Sequence, residues 1–279
     1  IPYRKVNSDF LKWVELVNNI KKIRKKVKIA MIGKYFDSGN FVLSDAYISV
    51  IESLKIASWH NGFKPELEWI SSQRIENEPG YINKLKEYDG ICVPGGYGEK
   101  GVDGIMKAIK FSRENKKPYL GLCFGMQLAL VEIARDVCKF EGANTTEIDK
   151  KTRYPIVDVM PDQRKNIEKK IGNTQRLGDY AAQLKEGSLV WEMYGREESV
   201  QEIHRHRYEI NNRFIPALER KGVVVSGLNV ERNLVEMIEL DRKKHPFFVA
   251  TQAHPEFKSK FLEPAPLFYG FIKACVLKK

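Results

Sequence analysis

No apolar run in the 279 residues reaches the roughly 18–20 needed for a membrane-spanning helix, and no signal peptide is visible. The chain also lacks an initiator Met; starting at Ile1-Pro2, it is expected to be a piece of a longer protein. Cysteine is scarce. Cys92, Cys123, Cys138 and Cys275 form no C-x-x-C pair, and the five histidines show no paired spacing, so no metal site is expected. Free thiols suit a reducing, cytoplasmic setting. No internal repeat is visible. Acidic residues are outnumbered, 36 against 47 Lys and Arg, for a net charge of +11. Such an excess suits nucleic acid, but no aromatic-interleaved basic stripe and no zinc-finger spacing accompany it. The densest basic run, residues 21–28, ends a helix pattern and precedes a strand, as a solvated helix end does.

What is present is alternation of strands and helices. The chain is 43% hydrophobic and 30% charged, enough to bury a sizeable core. Apolar spacing predicts a helix over residues 8–24, a linker ahead of a domain that begins near residue 27. A strand at 27–32, a polar loop at 33–44 and a helix at 45–60 follow, the helix stopped by Asn61-Gly62. Strands are expected at 67–70 and 89–94, with a partly helical polar stretch at 73–87 between them, then a helix at 102–115. Residues 144–186 are polar without a long period and read as a surface excursion. Strands at 201–211, 223–228, 234–240 and 247–252 and a closing helix at 266–277 complete the chain. The pattern implies an α/β fold: a doubly wound, mostly parallel sheet flanked by helices, with a partly antiparallel extension. Ligands of such sheets gather at the carboxyl ends of the strands.

Two features fall there. One is Gly95-Gly96-Tyr97-Gly98-Glu99-Lys100-Gly101, directly after the 89–94 strand. The other is Pro118-Tyr119-Leu120-Gly121-Leu122-Cys123-Phe124-Gly125-Met126-Gln127, where a short strand turns sharply into a helix. This is G-x-C-x-G in the place of a G-x-S-x-G nucleophile elbow. It presents the Cys123 thiol at a helix N-terminus, where the peptide dipoles favour thiolate. A buried structural cysteine is the plainer reading of Cys123 alone.

A cysteine nucleophile needs a base and a proton donor, usually histidine. His254 alone among the five follows an apolar strand directly and has a carboxylate, Glu256, two residues on. In an extended segment the two would face the same side, so that Glu256 orients the imidazole. A surface turn after an edge strand is the alternative. Acyl transfer also needs an oxyanion hole, for which the Phe124 N–H and Gly96 are suited. Phosphate cradling by the glycine-rich loop is the weaker reading, since no Gly-Lys-Ser/Thr ending follows.

Pro-Gly-Gly-Tyr-Gly, Gly-Leu-Cys-Phe-Gly-Met-Gln and His-Pro-Glu, in that order, resemble the class I glutamine amidotransferase domain. Asp45-Ala46-Tyr47-x-Ser49-Val50-Ile51-Glu52, Ala143-Asn144-Thr145-Thr146-Glu147 and His204-Arg205-His206-Arg207-Tyr208-Glu209 are more particular and resemble the glutaminase domain of CTP synthases. The resemblance spans residue 27 to the C-terminus. Residues 1–26 resemble that family's interdomain linker, and the synthetase domain is absent from this chain.

The resemblance implies that Cys123 attacks the side-chain amide of L-glutamine, that His254 moves protons and Glu256 orients it, and that Gly96 and Phe124 stabilise the oxyanion. It implies that Gln127, Glu147 and Arg207 hold the substrate; Glu147 suits the α-ammonium and Arg207 the α-carboxylate. Ammonia would pass to a synthetase domain that aminates UTP with ATP and Mg, in a full-length homotetramer with GTP as allosteric activator and no cofactor in this domain. Three departures bear on the GTP response and the domain contact: Gly172-Asn173-Thr174-Gln175-Arg176-Leu177-Gly178, Lys100, and a long loop at 36–43. Other readings are a glutaminase serving another synthetase, a γ-glutamyl hydrolase, and an idle regulatory or assembly module. Neither nucleic acid nor membrane is expected as a partner.

Overall fold

The computed structural model describes residues 8–33, 47–159 and 175–277. In chain order the elements are α1 (Ser8–Lys22), β1 (Lys26–Gly33), α2 (Ile48–His60), β2 (Lys64–Ser71), α3 (Ser72–Asn77), β3 (Gly90–Val93), α4 (Val102–Glu114), β4 (Tyr119–Leu122) and α5 (Phe124–Asp136). Then come β5 (Asn144–Thr145), β6 (Pro155–Val159), β7 (Arg176–Leu184), α6 (Leu189–Met193), β8 (Ser199–His206), β9 (Tyr208–Ile210), α7 (Ile215–Glu219), β10 (Val223–Asn229), β11 (Leu234–Leu240), β12 (Phe248–Thr251) and α8 (Pro266–Val276). Tyr81–Glu87 is a 3-10 helix, the helical part of the stretch between β2 and β3.

The main sheet has the order β2-β1-β3-β4-β12-β11-β10-β7-β8. Its first five strands are parallel; the remaining four are added antiparallel. Strands β3, β4 and β12 are wholly buried, as parallel strands covered on both faces must be. One face carries α4 and α5, with Ile105, Ile109, Met126 and Leu130 in its core. The other carries α2 and α8, with Leu54, Leu267, Phe268 and Phe271. The doubly wound α/β architecture read from the alternation is thus the fold of the chain. The antiparallel part is nearly half of the sheet.

A smaller sheet, β5-β6-β9, pairs β5 with β6 in parallel and β6 with β9 antiparallel. Residues 201–211, expected as one strand, are split between the two sheets, and Arg207 is the residue between β8 and β9. Both sheets therefore converge on that arginine.

The expectation of a surface excursion over 144–186 is corrected: it holds β5, β6 and β7, and β7 lies inside the main sheet. The reason is an inverted polarity. Arg176 is 1% exposed whereas its neighbour Leu177 is 62% exposed, so an apolar alternation cannot reveal the strand. Arg176 is accommodated by Glu209 at 3.2 Å and Glu236 at 2.7 Å. The polar loop at 33–44, including the long segment 36–43, lies outside the described residues apart from Gly33, as do Asp45, Ala46 and the Gly172-Asn173-Thr174 part of the variant loop. No helix of the described residues is long and apolar enough to cross a membrane.

Candidate active site

Cys123 stands between β4 and α5 with φ 49° and ψ −100°. For a residue with a side chain this conformation costs on the order of 1–3 kcal/mol and must be imposed by its surroundings. The Cys123 N–H donates to the Thr251 carbonyl at 2.7 Å, and the Tyr119 hydroxyl donates to the Gly125 carbonyl at 2.9 Å. Gly125 is obligatory here: a Cβ on it would sit 2.3 Å from the Val93 carbonyl oxygen. Helix α5 is thereby held against the end of β3, and the sulfur, in a residue 6% exposed, is offered to the carboxyl edge of the sheet.

His254 follows β12, its N–H donating to the Ile203 carbonyl at 2.7 Å. Its Nδ1 lies 2.7 Å from Glu256 Oε1. A carboxylate accepts, so Nδ1 carries the proton and Nε2 is left outside that bond, in the pocket that Cys123 also lines. Burial works against charging this imidazole, but the neighbouring Cys123 and Glu256 outweigh it and raise its pKa to about 10. The arrangement favours the imidazolium form of His254. Glu256 reaches the ring differently from expectation: Pro255–Phe257 is a 3-10 turn, not an extended segment. The turn also stacks Phe257 on the imidazole, with ring centroids 5.5 Å apart.

A pocket of about 890 Å³ opens over these groups; Gly96, Gln127, Glu147, Arg207 and Tyr208 line it with Cys123, His254 and Glu256. Glu147 follows β5 and Arg207 precedes β9, so the small sheet places both. Burial and then Glu147 push the Tyr208 phenol up, while Arg207 pulls it back. The Gly98 N–H donates to Glu147 Oε1 at 2.7 Å. Residues 96–101 have glycine spacing that suits phosphate, yet this N–H is already committed to an anion of the chain itself. Phe124 heads α5, and a Cβ on Gly96 would rest 3.6 Å from its ring, an ordinary contact. Lys100 is exposed and does not line the pocket. Gln175 does.

A family profile described as "Glutamine amidotransferase class-I" matches residues 42–274. Among solved structures, the Trypanosoma brucei CTPS glutaminase domain with bound acivicin superposes with a TM-score of 0.83 at 31% identity, covering 91% of this chain and 95% of that one. The chain belongs to the class-I glutamine amidotransferases. It is similar to the CTP synthase of Caldanaerobacter subterraneus subsp. tengcongensis, 48% identical over 96% of this chain and 48% of the relative. It is likewise similar to that of Clostridium beijerinckii, 45% identical over 96% and 48%. The chain spans about half the length of these curated relatives and corresponds to the glutamine amidotransferase domain of CTP synthase.

In this amidotransferase domain, all eight residues singled out from sequence meet at one place: seven line the pocket, and Phe124 adjoins Gly96. Three neighbours were not foreseen. A Cβ on Gly95 would lie 2.9 Å from His254 Cε1, so Gly95 makes room for the imidazole. Tyr208 lines the pocket together with Glu147 and Arg207. Gln252, fully buried, places its Nε2 3.5 Å from the Cys123 sulfur. Its signal was visible as an amide closing an apolar strand two residues before His254.

Proposed function

We propose that this domain hydrolyses L-glutamine through a Cys123 thiolate and supplies ammonia to the synthetase half of a CTP synthase. The observation that carries the reading is His254, bonded to Glu256 and lining one pocket with Cys123, Glu147 and Arg207. The thiolate adds to the side-chain amide carbon of glutamine, and the N–H groups of Gly96 and Phe124 receive the oxyanion. His254 gives its Nε2 proton to the departing amine, releasing ammonia and leaving a γ-glutamyl thioester on Cys123. The now neutral imidazole takes a proton from water, whose oxygen attacks the thioester; glutamate departs, and thiolate and imidazolium are restored. Glu256 keeps Nδ1 protonated throughout. Glu147, Arg207 and Gln127 bind the amino-acid end of the substrate.

ATP, Mg and UTP belong to the synthetase half in this reading, and GTP acts on the assembled protein; none enters a step here. Intact-mass labelling with an electrophilic glutamine analogue tests the proposal. A single adduct on Cys123, suppressed by excess glutamine, is expected. Labelling elsewhere, or labelling indifferent to glutamine, overturns it.

A further inference from the structure

Gln252 lies at the end of β12, outside the Cys123, His254 and Glu256 set, and its amide is tied at both ends. Its Oε1 accepts from Gln127 Nε2 at 3.1 Å, and its Nε2 lies 3.5 Å from Cys123 Sγ. Gln127 Nε2 also donates to the Tyr208 carbonyl at 3.2 Å. That carbonyl can only accept, and it already receives His206 Nδ1 at 3.0 Å. The orientation of the whole chain of bonds follows. Gln127 must turn its NH₂ to the carbonyl, so its second hydrogen meets Gln252 Oε1. Gln252 must then turn its own NH₂ to the sulfur. Flipping either amide would set donor against donor, or oxygen against carbonyl oxygen, in a site where both side chains are at most 2% exposed.

We propose that Gln252 is a further catalytic residue of this site: an amide N–H, aimed by Gln127 and the Tyr208 carbonyl, that holds the Cys123 sulfur as thiolate. The inference rests on the reading of Cys123 as the nucleophile. A donor bonded to anionic sulfur stabilises it over both the thiol and the uncharged thioester sulfur. It therefore favours the charged resting state and, after acylation, the return of sulfur as leaving group when water attacks. No proton changes hands through the amide; it gives a hydrogen bond and keeps its hydrogens. The same chain reaches the pocket. Gln127 lines the pocket, and its buried Oε1 has no hydrogen-bond partner among the described residues while its NH₂ stays committed to Gln252 and the Tyr208 carbonyl.

The test is the pH dependence of Cys123 alkylation by iodoacetamide, followed by intact mass, in the parent chain and in Gln252→Glu and Gln252→Met. Gln252→Glu keeps the shape and the acceptor for Gln127 but presents oxygen to the sulfur; Gln252→Met removes both functions. The parent is expected to react with a midpoint on the acid side of an ordinary thiol, as cysteines paired with imidazolium do. In both variants the midpoint should move up by about one unit, with alkylation at pH 6 slowed about tenfold. Circular dichroism identifies any variant that fails to fold, and the folded one decides. Superimposable profiles for parent and a folded variant overturn the role of Gln252. A parent whose own midpoint is that of an ordinary thiol overturns instead the thiolate reading of the site.

Discussion

His204 Nδ1 lies 2.9 Å from His206 Nε2 in the interior, and a backbone carbonyl decides which of them donates. His206 Nδ1 faces the Tyr208 carbonyl at 3.0 Å and must carry hydrogen there. Its Nε2 then accepts from His204 Nδ1–H, and both rings are neutral. Burial, the neighbouring imidazole and Arg176 hold His204 down at about 2. Burial and Arg176 hold His206 at about 3. Unfolded imidazoles charge near pH 6.5, so as pH falls through the window from about 6.5 to 3 the unfolded chain takes up protons that the folded one refuses. Stability should be lost across that window, at up to about 1.4 kcal/mol per pH unit for each ring. Glu209, raised to about 8 chiefly by burial, acts in the opposite sense as pH rises. The histidine contribution is therefore best isolated by difference. His204→Gln should lose less urea stability than the parent between pH 6 and pH 4. Equal losses would show that the pair does not titrate as derived.

Glu256 and Cys123 have unequal proposed tasks, orientation against bond formation. Cys123→Ala should abolish glutamine hydrolysis, while Glu256→Ala should retain about 10² more activity than Cys123→Ala, the scale seen when the orienting acid of a triad is removed. Steady-state ammonia release measures both. Equal loss would contradict the part given to Glu256.

Glu147 and Arg207 carry opposite charges into the same pocket, a pattern that suits the two charged groups of a free amino acid. Losing a charge-assisted hydrogen bond costs roughly 1.5–3 kcal/mol. Glu147→Gln and Arg207→Met should therefore raise KM for glutamine about 10- to 150-fold, with a smaller effect on kcat. For Glu147→Gln, an analogue of glutamine lacking the α-amino group should be handled as it is by the parent. A variant that discriminated against that analogue as the parent does would place the ammonium elsewhere.

Why the elbow and the central strands were legible, and β7 was not, has one physical cause. Tyr119–Leu122 and Phe124–Asp136 bury apolar side chains, so their periodicity reports their burial directly. The strand Arg176–Leu184 opens by burying a guanidinium between Glu209 and Glu236, and β8 turns Glu202, His204 and His206 inward. Charge balance replaces apolar contact there, and a hydropathy pattern is blind to it. Cys123 and His254 were legible because each stands beside a local mark, Cys123 between glycines and His254 after an apolar strand, whereas Gln127, Glu147 and Arg207 were indicated only by the family resemblance. Gly95 and Gln252 act through what they leave open or what aims them across the fold, and those are relations between distant segments.

Gly95 and Gly96 separate two reasons for a glycine at one place. A Cβ on Gly95 would stand 2.9 Å from His254 Cε1 and 3.7 Å from Cys123 Cβ, inside the space the imidazole needs. A Cβ on Gly96 meets only the Phe124 ring edge, at 3.6 Å. Both substitutions keep the backbone N–H, so neither removes an oxyanion donor. Gly95→Ala must push the imidazole away from the sulfur, and a displacement of about 1 Å can cost about 10²-fold in rate. Gly95→Ala should therefore lose about 10²-fold in kcat and slow alkylation of Cys123 as well, because the imidazolium that supports the thiolate has moved. Gly96→Ala should stay within about tenfold of the parent, since its added methyl makes only ordinary van der Waals contact. The reverse order would mean that Gly96, through its backbone, sets the geometry of the reacting centre, and that the room beside His254 is slack.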